Sequence, residues 1–372
     1  MRQRFWLTAM VILLGFGMFG DIPVDAARVA SGGSTGAVPA ASTGMQPSIT
    51  ATAVFGNNVA LGKAYTISPA PAGLYPDSEG RKITDGYAAQ WSDMVGWKNP
   101  EKTPVITVDL GAKQDDITWI SAFFALVPDA KVQLPVKVLL AISDDNVNFR
   151  GIGEAKGWLV PATDKEFVRE IYWENQAAPA SGRYIKVEIV PAGKEWTMLA
   201  ELRVLAGKVE KYSNIAVERT YTLSATASIV FPDDGKKLTD GLSKHAWGDA
   251  VGWEIGANTG FRPEMVLDLG EVRSGIVKIS GGFMRTITSD VRLPAKMVLW
   301  VSEDHRTYTQ LGEAATWFPE QKANERVSWL SWESKNGPVR GRYIKAEILP
   351  NITDEQGQAG WILMTELSVF AK

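Results

Sequence analysis

Two carboxylate pairs stand at matched places in this sequence: Asp85 with Glu201, and Asp240 with Glu366. Each aspartate precedes a glycine, in Thr84-Asp85-Gly86 and Thr239-Asp240-Gly241, and each glutamate precedes a leucine, in Glu201-Leu202 and Glu366-Leu367. Members of a pair are far apart in the chain and meet only if the first and last strands of one domain lie close together. Hard carboxylate oxygens, completed by loop carbonyls, suit Ca2+. The same pairs read as acid and nucleophile would make a glycosidase. Read without chemistry, they are a turn aspartate bonding its own backbone and an edge glutamate in solvent. His245 and His305 match Ala89 and Asn146 in the other half, so neither belongs to repeated machinery. The sequence has no Gly-x-Ser-x-Gly elbow, His-Glu-x-x-His pair or phosphate loop.

The 14 tryptophans offer a second chemistry, because several recur in matched pairs: Trp91 with Trp247, Trp97 with Trp253, Trp158 with Trp317, Trp173 with Trp332, and Trp196 with Trp361. A sugar ring lays its C–H face on an aromatic plane while polar side chains bond its hydroxyls, so aromatics on loops are carbohydrate platforms. Trp97 and Trp253 fit that role in the repeated pattern Asp-x-Val-Gly-Trp, with Asp93 and Asp249 as polar flanks. A glycine before the indole frees the backbone to turn the ring outward. Trp196 and Trp361 lie just before the last strand of each half and are further candidates. Trp91, Trp247, Trp173 and Trp332 read as core, where tryptophan is most often found.

What positions these residues is a repeat. Asn58 to Gly207 and Asn214 to Lys372 carry one motif order: Tyr75-Pro76-Asp77 against Phe231-Pro232-Asp233, and Lys82-Ile83-Thr84-Asp85-Gly86 against Lys237-Leu238-Thr239-Asp240-Gly241. Further on, Val108-Asp109-Leu110-Gly111 answers Leu267-Asp268-Leu269-Gly270, and Gly182-Arg183-Tyr184-Ile185-Lys186 answers Gly341-Arg342-Tyr343-Ile344-Lys345. A unit of roughly 150 residues is far longer than solenoid repeats of about 20 to 50 and is the size of a domain with its own core. Apolar residues alternate with polar ones, as in Ile185, Val187 and Ile189 or Ile106, Val108 and Leu110, the pattern of half-buried strands. Strands separated by Pro, Gly, Asp and Asn, without an amphipathic helix, predict an all-β antiparallel sandwich or jelly roll with loops gathered at its ends.

The order Asn-x-Ala, Thr-x-Ser, Asp-Gly, Trp, Asp-Leu-Gly, Leu-Pro, Ser-x-Asp, Arg-Tyr-Ile-Lys and Glu-Leu-x-Val resembles the coagulation factor 5/8 type C, or discoidin-like, domain, whose bacterial members include family 32 carbohydrate-binding modules. The resemblance covers almost all of both repeats. It implies two tandem galactose-binding-like jelly rolls, usually non-catalytic, each with a structural calcium held by the Asp-Gly loop and the glutamate of the last strand. The sequence departs from the pattern at Tyr87 and Leu242 after Asp-Gly, and at Ala89 and His245 before the tryptophan.

Residues 1–26 read as a signal peptide: Arg2 and Arg4 precede an apolar run from Phe5 to Phe19, with small residues around Val24-Asp25-Ala26. Residues 27–57 read as a flexible linker rich in Ala, Gly, Ser, Thr and Pro. Residues 58–207 and 214–372 are then the two sandwiches. The lack of cysteine removes disulfides and thiol catalysis. A net charge of −3 and a pI near 5.7 give no basic footprint for nucleic acid, and no segment after the signal is long and apolar enough to span a bilayer. The sequence therefore predicts a secreted, non-catalytic protein whose two modules bind glycan. The alternatives are an adhesion or structural protein that binds another protein, and a targeting subunit for a separate glycoside-active enzyme.

Overall fold

The computed structural model describes residues 52–86, 94–159, 168–241, 247–255, 260–318, 326–351 and 360–372, all within one compact unit, Ser48–Lys372. The signal peptide, the linker up to residue 51, Trp91 and Asp93 lie outside the described residues.

In the first repeat the strands are β1 (Thr52–Asn58), β2 (Tyr65–Ser68), β3 (Val95–Lys98), β4 (Val105–Ala125), β5 (Lys137–Ser143), β6 (Arg150–Ala155), β7 (Gly157–Trp158), β8 (Val168–Glu174), β9 (Ala180–Val190) and β10 (Trp196–Asn214). In the second they are β11 (Thr220–Leu223), β12 (Val251–Glu254), β13 (Glu264–Arg285), β14 (Lys296–Ser302), β15 (Thr309–Ala314), β16 (Trp317–Phe318), β17 (Arg326–Glu333), β18 (Val339–Leu349) and β19 (Trp361–Ala371). Among the described residues, helix is confined to short 3-10 turns. The all-β class follows from the alternation of apolar residues: Ile185, Val187 and Ile189 of β9 face inward and are buried, while Tyr184, Lys186 and Glu188 are more exposed.

Each repeat closes into a sandwich because one long strand serves both layers. The first half of β4 pairs with β2 and β9, and its second half with β8 and β10. Between them the register shifts from Asp109 to Gln114, where Gly111 adopts φ +81°, a left-handed conformation that glycine takes without steric cost. The bend is pinned by Arg183, whose Nε and Nη2 donate to the two Asp109 carboxylate oxygens at 2.8 Å each. β13 repeats the device, with Gly270 at φ +85° and Arg342 on Asp268 at 2.7 and 2.8 Å. The Asp-Leu-Gly and Arg-Tyr motifs of the two repeats are thus one structural corner.

Each sandwich has its own core. Residues between Ala60 and Val204 pack around Trp97, Phe124 and Ile185, and residues between Ala216 and Ala371 around Trp253, Phe283 and Ile344. The junction departs from the sequence reading. Residues 27–57 are predicted as linker, yet Thr52–Asn58 forms β1, antiparallel to β10, with Thr52 opposite Ser213 and Phe55 opposite Glu210. Val54 of β1 packs with Trp119, Leu205 and Val209 in a separate buried cluster, which is what draws this segment onto the sheet. β10 runs unbroken through Lys208-Val209-Glu210-Lys211 to pair Ser213 and Asn214 with Ala371 and Phe370 of β19. The Asn214 side chain closes the joint: its Oδ1 accepts from Ala216 and Val369 backbone N–H groups at 3.2 and 3.0 Å.

Candidate functional site: aromatic shelves at the loop ends

Trp97 and Trp253 are not platforms. Each is 2% exposed in its repeat's core, and each indole N–H donates to a backbone carbonyl, Pro69 at 3.0 Å and Ala225 at 3.2 Å. The residue alternation of β3 and β12 decides this: the indole faces the core of its repeat, and the glycine lies on the opposite side of the strand, buried under the loop that carries Tyr75 or Phe231. Gly96 and Gly252 instead admit a neighbouring chain. Gly96 N–H donates to Tyr75 O at 3.2 Å and Gly252 N–H to Phe231 O at 3.0 Å, while Ala72 and Ser228 return bonds to the glycine carbonyls at 2.8 Å each. A Cβ on Gly252 would stand 2.7 Å from Phe231 Cβ, so only glycine lets the loop lie this close.

The chain brought in by these glycines carries the aromatics of the site. Phe231 meets Trp361 edge to face at 5.2 Å and Trp247 in a stacked arrangement at 5.8 Å. Trp247, read from the sequence as core, is 40% exposed, and Ile229 beside Phe231 is 95% exposed. Asp249 completes the 3-10 turn Trp247–Asp249 and is half-buried, and Ala250, between that turn and β12, is buried. The first repeat has the corresponding pair, Tyr75 edge to face with Trp196 at 5.1 Å. Trp196 and Trp361 are half-buried, each over a small apolar cluster on the outer face of its sheet, Met94, Ala125, Val132, Met198 and Ala200 in one case and Ala250, Met284, Val291, Val327 and Leu363 in the other. Tyr75 and Phe231 are functional candidates that the sequence reading used only to align the repeats. Their signal was the pairing of an aromatic with Pro-Asp in both halves.

The same loops are braced from inside. Tyr65 and Tyr221 hydroxyls donate to Asp77 and Asp233 at 2.5 Å, and burial first, then these carboxylates, push both phenols up from their ordinary value. Lys82 and Lys237 ammonium groups donate to Pro76 and Pro232 carbonyls at 2.7 Å.

The two glutamates follow the shelf tryptophans along the last strands, Glu201 after Trp196 in β10 and Glu366 after Trp361 in β19. Glu201 is 2% exposed, its Oε2 accepts the Gly86 backbone N–H at 3.1 Å, and Oε1 has no hydrogen-bond partner among the described residues. Burial first, and the Asp85 charge second, push the Glu201 carboxyl well above the ordinary carboxylate range, while the Gly86 and Asp85 backbone N–H groups oppose that shift. Asp85 therefore stands near enough to Glu201 for its charge to act on the buried carboxyl. Glu366 is likewise buried and sits opposite Gly282 in the register as Glu201 sits opposite Phe123. A buried carboxylate with a bare oxygen, beside a second carboxylate, is a donor set that fits Ca2+ in kind. Among the described residues no group of three or more His, Cys, Asp or Glu side chains gathers; an ion at this pair would need backbone carbonyls and water to complete its shell.

No family model matches the sequence, and a search of curated proteins finds no relative. Solved structures do align. A fucolectin from striped bass (Morone saxatilis) serum is 14% identical, with 86% of this chain and 99% of that one covered at a TM-score of 0.30. An allantoicase is 13% identical, with coverage of 85% and 93% at 0.31. A Streptococcus pneumoniae fucose-binding module is 15% identical over 41% of this chain and 96% of its own, at 0.30. Likeness at this level carries no statement of ligand or activity.

Proposed function

We propose that this chain is an exported, non-catalytic glycan-binding protein with one seat on each repeat, at Tyr75–Trp196 and at Trp247–Phe231–Trp361. The observation that carries the reading is the partly exposed aromatic shelf at corresponding loops of both sandwiches, bordered by Asp249, Glu254, Asp290 and Arg292 in the second. Aromatic faces with polar groups at their margin bind the C–H face and the hydroxyls of a sugar. Two weak seats in one chain raise retention on a polymer without new contacts. Calcium belongs to the proposal as a structural ion, held by Asp85 with Glu201 and by Asp240 with Glu366 and stabilising the loops beneath the shelves. Export belongs to the proposal as well, with the apolar run from Phe5 to Phe19 as its support.

Exposed Ile229, Val230 and Leu74 at the shelf margins favour the second reading, an apolar protein partner at the same place. Glycan-array binding that is competed by free monosaccharide and lost in Trp247→Ala supports the first. Retention by no glycan overturns it in favour of the second.

A further inference from the structure

The two shelves share backbone geometry and oppose each other in charge. Trp196 is the register partner of Lys98, and Trp361 that of Glu254. Trp196 N–H donates to Lys131 O at 3.1 Å, and Trp361 N–H to Asp290 O at 2.8 Å. Lys131 and Asp290 take the same left-handed backbone, φ 56° and 55°. Thus the two positions joined to the tryptophan backbone are Lys and Lys in the first repeat and Glu and Asp in the second. Asp290 is neutralised locally, since Arg292 donates to its Oδ1 from Nε at 2.8 Å and lies in ion-pair contact through Nη2 at 2.7 Å. Gln133 occupies the position of Arg292 in the first repeat, each donating its backbone N–H to the tryptophan carbonyl at 2.9 Å.

Lys98 and Lys131 are both exposed, and among the described residues neither closes an ion pair, although Asp129 and Glu195 lie on the adjoining turns. Lys98 Nζ lies over the Trp196 ring, 5.8 Å from its centroid, within reach of a cation–π contact. An ammonium at an indole, with a second exposed lysine on the turn bonded to the same tryptophan's backbone, suits a ring that carries both a C–H face and a negative charge.

We propose that the Trp196 shelf takes an anionic sugar residue, bearing a carboxylate or a sulfate ester, with Lys98 and Lys131 as its counter-charges, whereas the Trp361 shelf takes an uncharged sugar. This rests on the glycan reading above and adds that the repeats have diverged in ligand charge.

The test uses the full chain carrying Trp247→Ala, which silences the second shelf, titrated calorimetrically with oligogalacturonate, a sulfated galactan oligosaccharide and a neutral galacto-oligosaccharide. The expected result is binding of one or both anionic probes, weakened by added salt and by roughly fivefold for each of Lys98→Ala and Lys131→Ala. Which anionic probe binds separates carboxylate from sulfate. Both lysines are exposed, so these variants fold, and Lys98→Glu provides a charge-reversed check. Binding of the neutral probe alone, or anionic binding indifferent to both lysines, overturns the inference and leaves the glycan reading standing. Retention of an acidic peptide but of no sugar overturns both.

Discussion

Gly252 and Phe231 exclude any larger residue from each other's neighbourhood: they share a 3.0 Å backbone hydrogen bond, and a Cβ on Gly252 would stand 2.7 Å from Phe231 Cβ and 2.4 Å from Leu363 Cδ2. Gly252→Ala therefore expels Phe231 and the Trp247 ring stacked on it, at a cost of about 1 to 3 kcal/mol, together with loss of retention on polysaccharide. Gly96→Ala is the milder change, because its closest contact is the flexible Met198 thioether and Tyr75 Cβ is 3.2 Å away. Melting curves and affinity electrophoresis of the two variants check this order.

Trp97 and Trp247 make opposite predictions. Trp97→Ala empties a core position and should cost about 3 to 5 kcal/mol, with any loss of binding following the loss of fold. Trp247→Ala should leave melting nearly unchanged and weaken glycan retention. Equal destabilisation by both would mean that the shelf is only packing.

Glu201 predicts a pH dependence with a definite sign. A carboxyl whose folded pKa lies above its unfolded value binds its proton more tightly in the native state. Its contribution to stability is then full below the unfolded value, about 4.3, and falls as pH rises from there to the raised folded value. Glu201→Gln removes this slope and, in chelator, should raise stability by about 1 kcal/mol, roughly 2 to 4 °C for domains of this size. Calcium acts in the reverse direction: it stabilises the wild-type chain by binding the ionised pair and does nothing for the first repeat of the glutamine variant. Calorimetry across pH, with and without chelator, decides between an ion site and a plain buried acid.

Removing the chain through Gly56 deletes the part of β1 that covers residues 210–213 and strips Val54 from Trp119, Leu205 and Val209. The loss of Val54 burial alone is worth about 1.5 to 3 kcal/mol. Hydrogen exchange in the 210–213 segment should quicken, while the cores around Trp97 and Trp253 keep their protection. Unchanged exchange would show that β1 adds nothing to the joint.

The fold was legible because two kinds of signal agreed: strict alternation in strands such as β9, and motif order repeated across the halves. Asp85 with Glu201 was legible for the same reason, since a duplicated pair of distant carboxylates requires a common place. The tryptophans were not. Gly-Trp in a loop and Gly-Trp in an inner strand are the same letters, and only the register of β3 against β10, with Trp97 opposite Thr197, assigns the face. Trp247 was misplaced for the converse reason, because what keeps it partly outside is Phe231, 16 residues earlier in the sequence. The β1 strand was hidden by composition: Thr52 to Asn58 is as polar and glycine-containing as the segment before it, and its burial depends on the reach of β10.

The unbroken run of β10 from one repeat into the next restricts how the gene can change. In a loop connector, one codon gained or lost is absorbed by slack. Within Lys208 to Asn214 a single-residue insertion or deletion would reverse which side chains face each side of the strand beyond it, turning Asn214 away from the Val369 N–H it accepts. Spacing between the repeats can therefore drift only in steps of two residues, so natural variants of this length-locked segment should differ by substitution and not by odd indels.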